Sequence, residues 1–554
     1  MRNKIAGKMF ALVLAGALLG SFAGCGNSNA PSSDTGAAGS QETAQQGEEQ
    51  AEDGPYGRYP ETVTLTRAQM TCAATQWENG DDETNNPWTR AALDEFNIKV
   101  EDAWAADGSQ YSEKINLSIA SQTLPDVFWA NASQFRQVAE LGLAADLTDV
   151  YAQYASDTLK GIMDSDKEAF ESGMIDGKLM GISTQHFGII SQLNYVWIRD
   201  DWMQKLNLEA PETMEDIYDI CRQFVENDPD GNGVDDTYGL AMTKDLGMIY
   251  AMMNSYHAYP NTWLTKEDGS IEYGIVQPEV KNALEAFQEL YEEGILSREF
   301  AVCDGSKMNE DLVSGKVGVI VTGSSFGYAP GIDVIKNNGA EAIFKPYMLP
   351  SADDGEMKQA VGWPVGNYVV VNKDCKNPEA AIKMINLYTR IVNEGTTEDY
   401  NTFVDNERSW GGIPFQVQNP MADYNQYVNI SAVQDSRDAG MLAPDQMGKY
   451  EKVIDWIDNK NPDSVGQYSQ VSKEGAYAIG KPIVDNEQYV RTAYRGISTP
   501  TMVEKMSSLE AMRDEAFTKI IMGDDISAFD EFVENWNDLG GADITKEMNE
   551  LYGN

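Results

Sequence analysis

Between Thr62 and Ala130 the chain alternates strand, helix, strand, helix, strand, and this order restricts the fold more than any other stretch. Thr62, Thr64 and Thr66 alternate with Val63 and Leu65, the pattern of a half-buried strand. Asn86-Pro87 supplies an N-cap and first-turn pair that opens a helix through Phe96. Ile98-Lys99-Val100 reads as the next strand, about Ser112 to Ser121 as a helix, and Leu124 to Ala130 as the third strand. Strands that run parallel need a crossover instead of a tight turn, so the order predicts an α/β lobe with a largely parallel sheet. Open sheets of this kind collect ligands at the carboxyl ends of their strands. That rule makes Trp129, at one such end, and Asn131 just beyond it candidate ligand-binding residues.

A second stretch, Trp197 to Leu240, combines a strand-like entry, a capped helix and an acidic loop. Thr213 is placed to cap the helix, with Asp216 three residues on as its reciprocal partner. Ile217, Ile220, Cys221, Phe224 and Val225 then share one apolar face. In the loop, Asp228, Asp230 and Asn232 alternate, so their oxygens can converge on one hard cation. Gly233 stands where a calcium loop turns sharply, Val234 can offer its carbonyl, and Asp236 fills the ninth position. The twelfth position is Gly239 instead of the bidentate Glu of an EF-hand. Calcium is the expected occupant; the competing reading is a solvated acidic turn.

Composition removes several function classes. The chain has 554 residues, room for two or more domains, and a formal net charge of −47. Such a charge argues against nucleic acid, whose phosphates need Lys and Arg, and against an anionic lipid face as a docking surface. Arg2, Lys4 and Lys8 precede a short apolar run, Met9 to Leu19, and Ser21-Phe22-Ala23-Gly24-Cys25 follows. This is signal-peptide architecture over residues 1–24, and the small residues before Cys25 resemble a bacterial lipobox, whose Cys is lipidated. Residues 25–58 then read as the lipidated Cys and a disordered tether rich in Gly, Ser, Ala, Gln and Glu. Cys72, Cys221, Cys303 and Cys375 form no CxxC pair, and Cys221 is expected to be a buried free thiol.

Catalytic signals are sparse. His186 and His257 are the two histidines, and no GxxxxGKS phosphate loop occurs. Glycosidase chemistry needs a pair of carboxylates, and 88 acidic residues single out none. Aromatic rings outside regular helix faces stand out: Trp77, Trp88, Trp129, Tyr256, Trp263, Phe326, Trp363 and Trp410. Such rings suit the apolar C–H faces of sugars, with about three of the eight expected to touch ligand and the rest to be core. Trp77 and Trp263 are the loop candidates.

Several segments carry a family resemblance. IRDDWMQKLNLEAPETMEDI with the DPDGNG loop and TYGL, and SQTLPDVFWAN with Gln122 where Gly is usual, resemble extracellular solute-binding proteins of bacterial ABC importers. KVGVIVT ending at Gly323-Ser324-Ser325-Phe326, and the terminal FDEFVENWNDLGGADITKEMNELY, extend the likeness, most of all to a large lipoprotein branch associated with complex saccharides. The resemblance implies an α/β, two-lobed periplasmic-binding-protein-like fold with a hinge, an interlobe ligand cleft and C-terminal helices. It implies lobes of residues 59–185 with about 357–405 and 186–356 with about 406–554, with Gly181 to Tyr195 as the first crossing. It implies a non-enzymatic monomer, held to the membrane only through its lipid anchor, that captures an oligosaccharide for ABC transporter permease subunits. Phe326 would then face Trp129 across the cleft. In this branch the acidic loop is a structural calcium site with Glu at the tenth position; here Thr237 takes that place. Two competing functions remain open: a receptor for a peptide or other polar solute, with Arg136 or Arg199 receiving a carboxylate, and a surface glycoside hydrolase or lyase.

Overall fold

The computed structural model describes residues 54–71, 77, 80–185, 188–234, 236–404 and 415–553. Cys25, Cys72, His186 and Trp410 lie outside the described residues. Two sheets define two lobes. The first holds five strands in the order Ile98–Ala106, Val63–Met70, Val127–Ala130, Val365–Val371, Ile182–Gln185. The first three are parallel, and Val365–Val371 joins antiparallel to both of its neighbours. The expected parallel sheet is therefore mixed, because the fourth strand arrives from the other lobe and enters from the opposite end. Ile182–Gln185 belongs to this sheet too, so the first crossing starts after it, not at Gly181.

The second sheet has four strands in the order Phe344–Tyr347, Asn194–Arg199, Val317–Gly323, Tyr238–Leu240. Each sheet is buried on both faces, as its apolar strands require. The helix Met214–Glu226 packs on the second sheet, and its start is the reciprocal Thr213–Asp216 cap. Cys221 on its inner face is a buried free thiol. One core of this lobe is completed only by the C-terminal helices, through Phe517, Phe529, Phe532, Trp536, Ile544 and Met548. Of the terminal stripe, Leu539 is exposed, because Gly540 adopts φ 145 and turns the chain before the helix Ala542–Tyr552.

Three segments cross between the lobes. The first runs through 188–193, the second through 359–365, and the third leads from Val417, still in a first-lobe core, to the helix Ala422–Val433, passing Gly188 at Pro420. A further segment, 489–499, leaves and re-enters the second lobe and lies along the crossings. They are tied side by side. Gln359–Val361 and Tyr489–Arg491 pair as parallel strands. The buried Gln359 amide accepts from Asn194 N at 2.8 Å and donates to Asn194 O at 3.0 Å. Gly362 N donates to Gln192 Oε1 at 2.8 Å.

Candidate functional site

A cavity of 640 Å³ opens beside these crossings. The second lobe contributes Asn261, Trp263 and Tyr273; the second crossing contributes Gly362 and Trp363. The segment 489–499 adds Thr492, Tyr494 and Ser498, and the helix Pro500–Ile521 adds Met502, Met506 and Glu510. The cavity also reaches the first lobe. A Cβ on Gly496, in the lining, would stand 3.1 Å from Ala132 Cβ, the first residue of the helix that follows Val127–Ala130. Aromatic faces and neutral hydroxyl or amide groups therefore meet between the lobes.

Ion pairs flank this cavity. Arg491 on the segment 489–499 donates twice to Asp166, which caps the first-lobe helix Lys167–Glu171, at 2.9 and 3.2 Å. Arg495 reaches Glu168 at 2.6 Å. Both guanidinium groups lie against the Trp363 ring, 6.0 Å (Arg491) and 5.5 Å (Arg495) from its centroid.

The ligand candidates read from sequence fall into different settings. Trp129 is half-buried at its strand end, between the two cores of the first lobe. Its Nε1 is shielded from solvent and has no acceptor in the structure. The Tyr111 hydroxyl bridges its backbone, accepting from Trp129 N at 2.9 Å and donating to Trp129 O at 3.2 Å. Asn131 is exposed, and its side-chain oxygen caps the next helix by accepting from Gln134 N at 2.9 Å. Trp263 borders the cavity, but it opens the strand Trp263–Thr265 instead of lying in a loop and is as buried as Phe326, 4% exposed, with its ring 4.7 Å from Tyr273 in the second-lobe core. Trp77 is half-buried. Phe326 is packed differently from the expectation: it is 4% exposed, wedged 5.2 Å from Trp197 and 5.1 Å from Phe344 in the second-lobe core. The glycine-led turn after Val317–Gly323 sends the ring inward, so it offers no free face to Trp129. Trp88 is likewise core.

The carboxylate receptors considered for a peptide ligand are both engaged. Arg199 is buried and clamps Asp201 at 2.7 and 2.8 Å, and Arg136 pairs with Glu140 on the surface.

The acidic loop is organised around Asn232. Its amide donates to Asp230 at 2.7 Å and to Asp236 at 3.1 Å, a partial positive charge between two carboxylates. Asp228 accepts from Gly231 N and Gly233 N. The Asp228 carboxyl is held below its usual range, first by its hydrogen bond with Asp230; Asp230 is pushed up by desolvation and by Asp228. Val234 is exposed, with its N–H bonded to Asn232 Oδ1 at 2.6 Å. Lys316 neutralises Asp236 at 2.9 Å. The buried Thr237 Oγ1 has no hydrogen-bond partner. Among the described residues no group of three or more His, Cys, Asp or Glu gathers as a metal site. An oxygen-seeking cation would thus draw on amide, hydroxyl and carbonyl oxygens beside the carboxylates.

The model of the bacterial extracellular solute-binding protein family matches residues 80–390. The chain belongs to this family. It is similar to lipoprotein LipO of Bacillus subtilis, 25% identical over 473 residues, covering 83% of this chain and 88% of LipO. Among solved structures it resembles the alginate-binding protein AlgQ2 without calcium ion, with a TM-score of 0.54 and 17% identity over 89% of this chain and 98% of that one. It also resembles an EF-hand mutant of the Streptococcus pneumoniae substrate-binding protein FusA in complex with fructo-nystose, TM-score 0.52, 18% identity, covering 88% and 99%. The fold is that of two-lobed binding proteins, and among the described residues no helix is long and apolar enough to cross a membrane.

Sequence reasoning missed the hinge glutamines, the segment 489–499 and Glu510. A glutamine that ties two crossings looks like any other glutamine until the crossings are side by side. Trp363 was in reach as one of the eight aromatics.

Proposed function

We propose that this family member is a lipid-anchored receptor that captures an oligosaccharide between its lobes and hands it to an ABC importer. One observation carries this reading: the interlobe cavity joins half-buried aromatic rings, Trp363 and Tyr494, with Trp263 in its wall, to neutral hydrogen-bonding groups, Asn261, Thr492 and Ser498. Sugars need both, a flat apolar platform and partners for outward hydroxyls. The names of its relatives support the reading, since those named for a ligand bind saccharides. Trp129, Asn131 and Trp77 are proposed to extend the site along the first lobe, and Trp263 to stand in its wall in the second. The engaged state of Arg136 and Arg199 disfavours a peptide carboxylate. We assign no catalytic step to the protein.

The lobes are taken as residues 59–185 with about 357–405 and 186–356 with about 406–554, moving about the three crossings as a hinge. Cys25 carries the lipid, and the protein acts as a monomer on the outer face of the cell membrane. Asp228, Asp230, Asn232, Asp236 and Thr237, with the Val234 carbonyl, are proposed to hold a structural calcium ion. The paired carboxylates and the partnerless Thr237 hydroxyl support that assignment. Calcium would supply charge neutralisation and rigidity there, with no part in ligand capture.

A thermal-shift screen against oligosaccharides and peptides tests the function. A ligand that binds only the folded state raises the melting temperature. Stabilisation by peptides and by no saccharide would overturn the reading.

A further inference from the structure

The interlobe cavity also carries a charge pattern, and it bears on which saccharides fit, an inference that rests on the saccharide reading above. Its described lining contains one charged side chain, Glu510, on the helix Pro500–Ile521. The carboxylate is half-buried, and among the described residues no cation pairs with it. Its charge is felt at Tyr273 across the cavity wall. That phenol is pushed up to about 12, first by burial, with Glu510 adding to the rise and Arg513 opposing it.

The basic groups nearby are already committed. Arg513 donates to Asp514 at 2.8 Å and to Asn261 at 2.6 Å. Arg491 is bound to Asp166 and Arg495 to Glu168. No free cation therefore faces the cavity among the described residues. A carboxylate in such a place accepts hydrogen bonds from two neighbouring hydroxyls, each charge-assisted. A second carboxylate, on a ligand, would meet a like charge with nothing to balance it.

We infer that the protein selects neutral oligosaccharides over uronates, and that Glu510 is the specificity-determining residue. Fold alone cannot make this distinction, since one architecture serves many ligands. Glu510 accepts hydrogen bonds from the hydroxyls of a neutral sugar while Trp363 and Tyr494 take its C–H faces. The same carboxylate repels the acid group of a uronate.

The experiment is calorimetry with neutral gluco-, galacto-, manno- and fructo-oligosaccharides and with length-matched oligogalacturonides and oligomannuronides. It uses the full mature chain and its Glu510→Gln variant, with a melting curve on each to confirm folding. Wild type is expected to bind a neutral member at least about tenfold more tightly than the matched uronide. Glu510→Gln is expected to narrow that gap, because it keeps the size and one acceptor and removes the charge. Uronides that bind wild type as tightly as neutral sugars would overturn the inference while leaving saccharide capture intact. So would a gap that Glu510→Gln leaves unchanged. Binding of peptides alone would remove the saccharide reading itself.

Discussion

Gly239 lies directly beneath Cys221: a Cβ at 239 would stand 2.6 Å from Cys221 Cβ and 2.8 Å from its carbonyl oxygen. The helix Met214–Glu226 presses onto the strand Tyr238–Leu240 at this point, and only a glycine leaves room. This explains why the twelfth loop position cannot carry the Glu of an EF-hand. Gly239→Ala is expected to destabilise the fold by about 1–3 kcal/mol through overpacking, read as a lower midpoint in urea. An unchanged midpoint would show that the helix can lift without penalty.

Metal removal should act on stability alone. If the acidic loop holds calcium, saturation at about 100 times the dissociation constant adds about 2.7 kcal/mol to the folded state. Chelator-treated protein should therefore melt lower than calcium-loaded protein while retaining its ligand preference. Identical melting curves with and without calcium would remove the site.

Trp129 tests the first-lobe half of the cleft. Trp129→Ala is expected to weaken saccharide binding by about 1–3 kcal/mol, the scale of losing a stacking platform. Calorimetry and a melting curve on the same variant separate the roles. Full affinity with a collapsed melting temperature would make Trp129 a core residue.

The Arg491–Asp166 pair links the second-lobe segment 489–499 to the first lobe, with side chains 18% and 13% exposed. Asp166→Asn removes the charge and leaves Arg491 with Glu168, 3.7 Å away. The ligand-free variant is expected to show a larger radius of gyration by small-angle scattering, because one tie between the lobes is lost. A profile identical to wild type would assign the pair to local packing.

Asp353 supplies a pH signature. Its carboxyl is lowered from 3.8 to about 2, first by the hydrogen bond from His257, which stands 2.9 Å away. A depressed folded pKa stabilises the native state above the unfolded value, and the contribution fades as pH falls from about 3.8 towards 2. The difference in melting temperature between wild type and His257→Ala should shrink over that window. A difference that is constant with pH would refute the coupling.

Local features were legible and long-range ones were not. The Thr213–Asp216 cap, the Asn86-Pro87 helix start and the buried Cys221 follow from neighbours in sequence, and each is present. The strand order of the first sheet was readable up to Ala130, because period-two and helical patterns alternate there. Its last two strands come from 182–185 and 365–371, and nothing local marks their direction. Phe326 was assigned to the cleft from its place after a strand, yet its burial is decided by Phe344 on the next strand and by Trp197, far away in the chain. The cavity is assembled from three distant segments, 261–273, 360–365 and 492–510, so its charge pattern became visible only once they were brought together.

The C-terminal helices set a timetable for folding. Phe517, Trp536 and Met548 belong to the same core as Ile198 and Phe224, so that core stays open until the last residues are available. The first lobe also waits, for the strand Val365–Val371 and the helix Pro378–Glu394. A chain that emerges amino end first therefore cannot close either lobe early, and contacts this distant in sequence form slowly. Until that closure the emerging polypeptide keeps both cores unfinished, and its dense negative charge discourages neighbouring chains from sticking to it in the meantime.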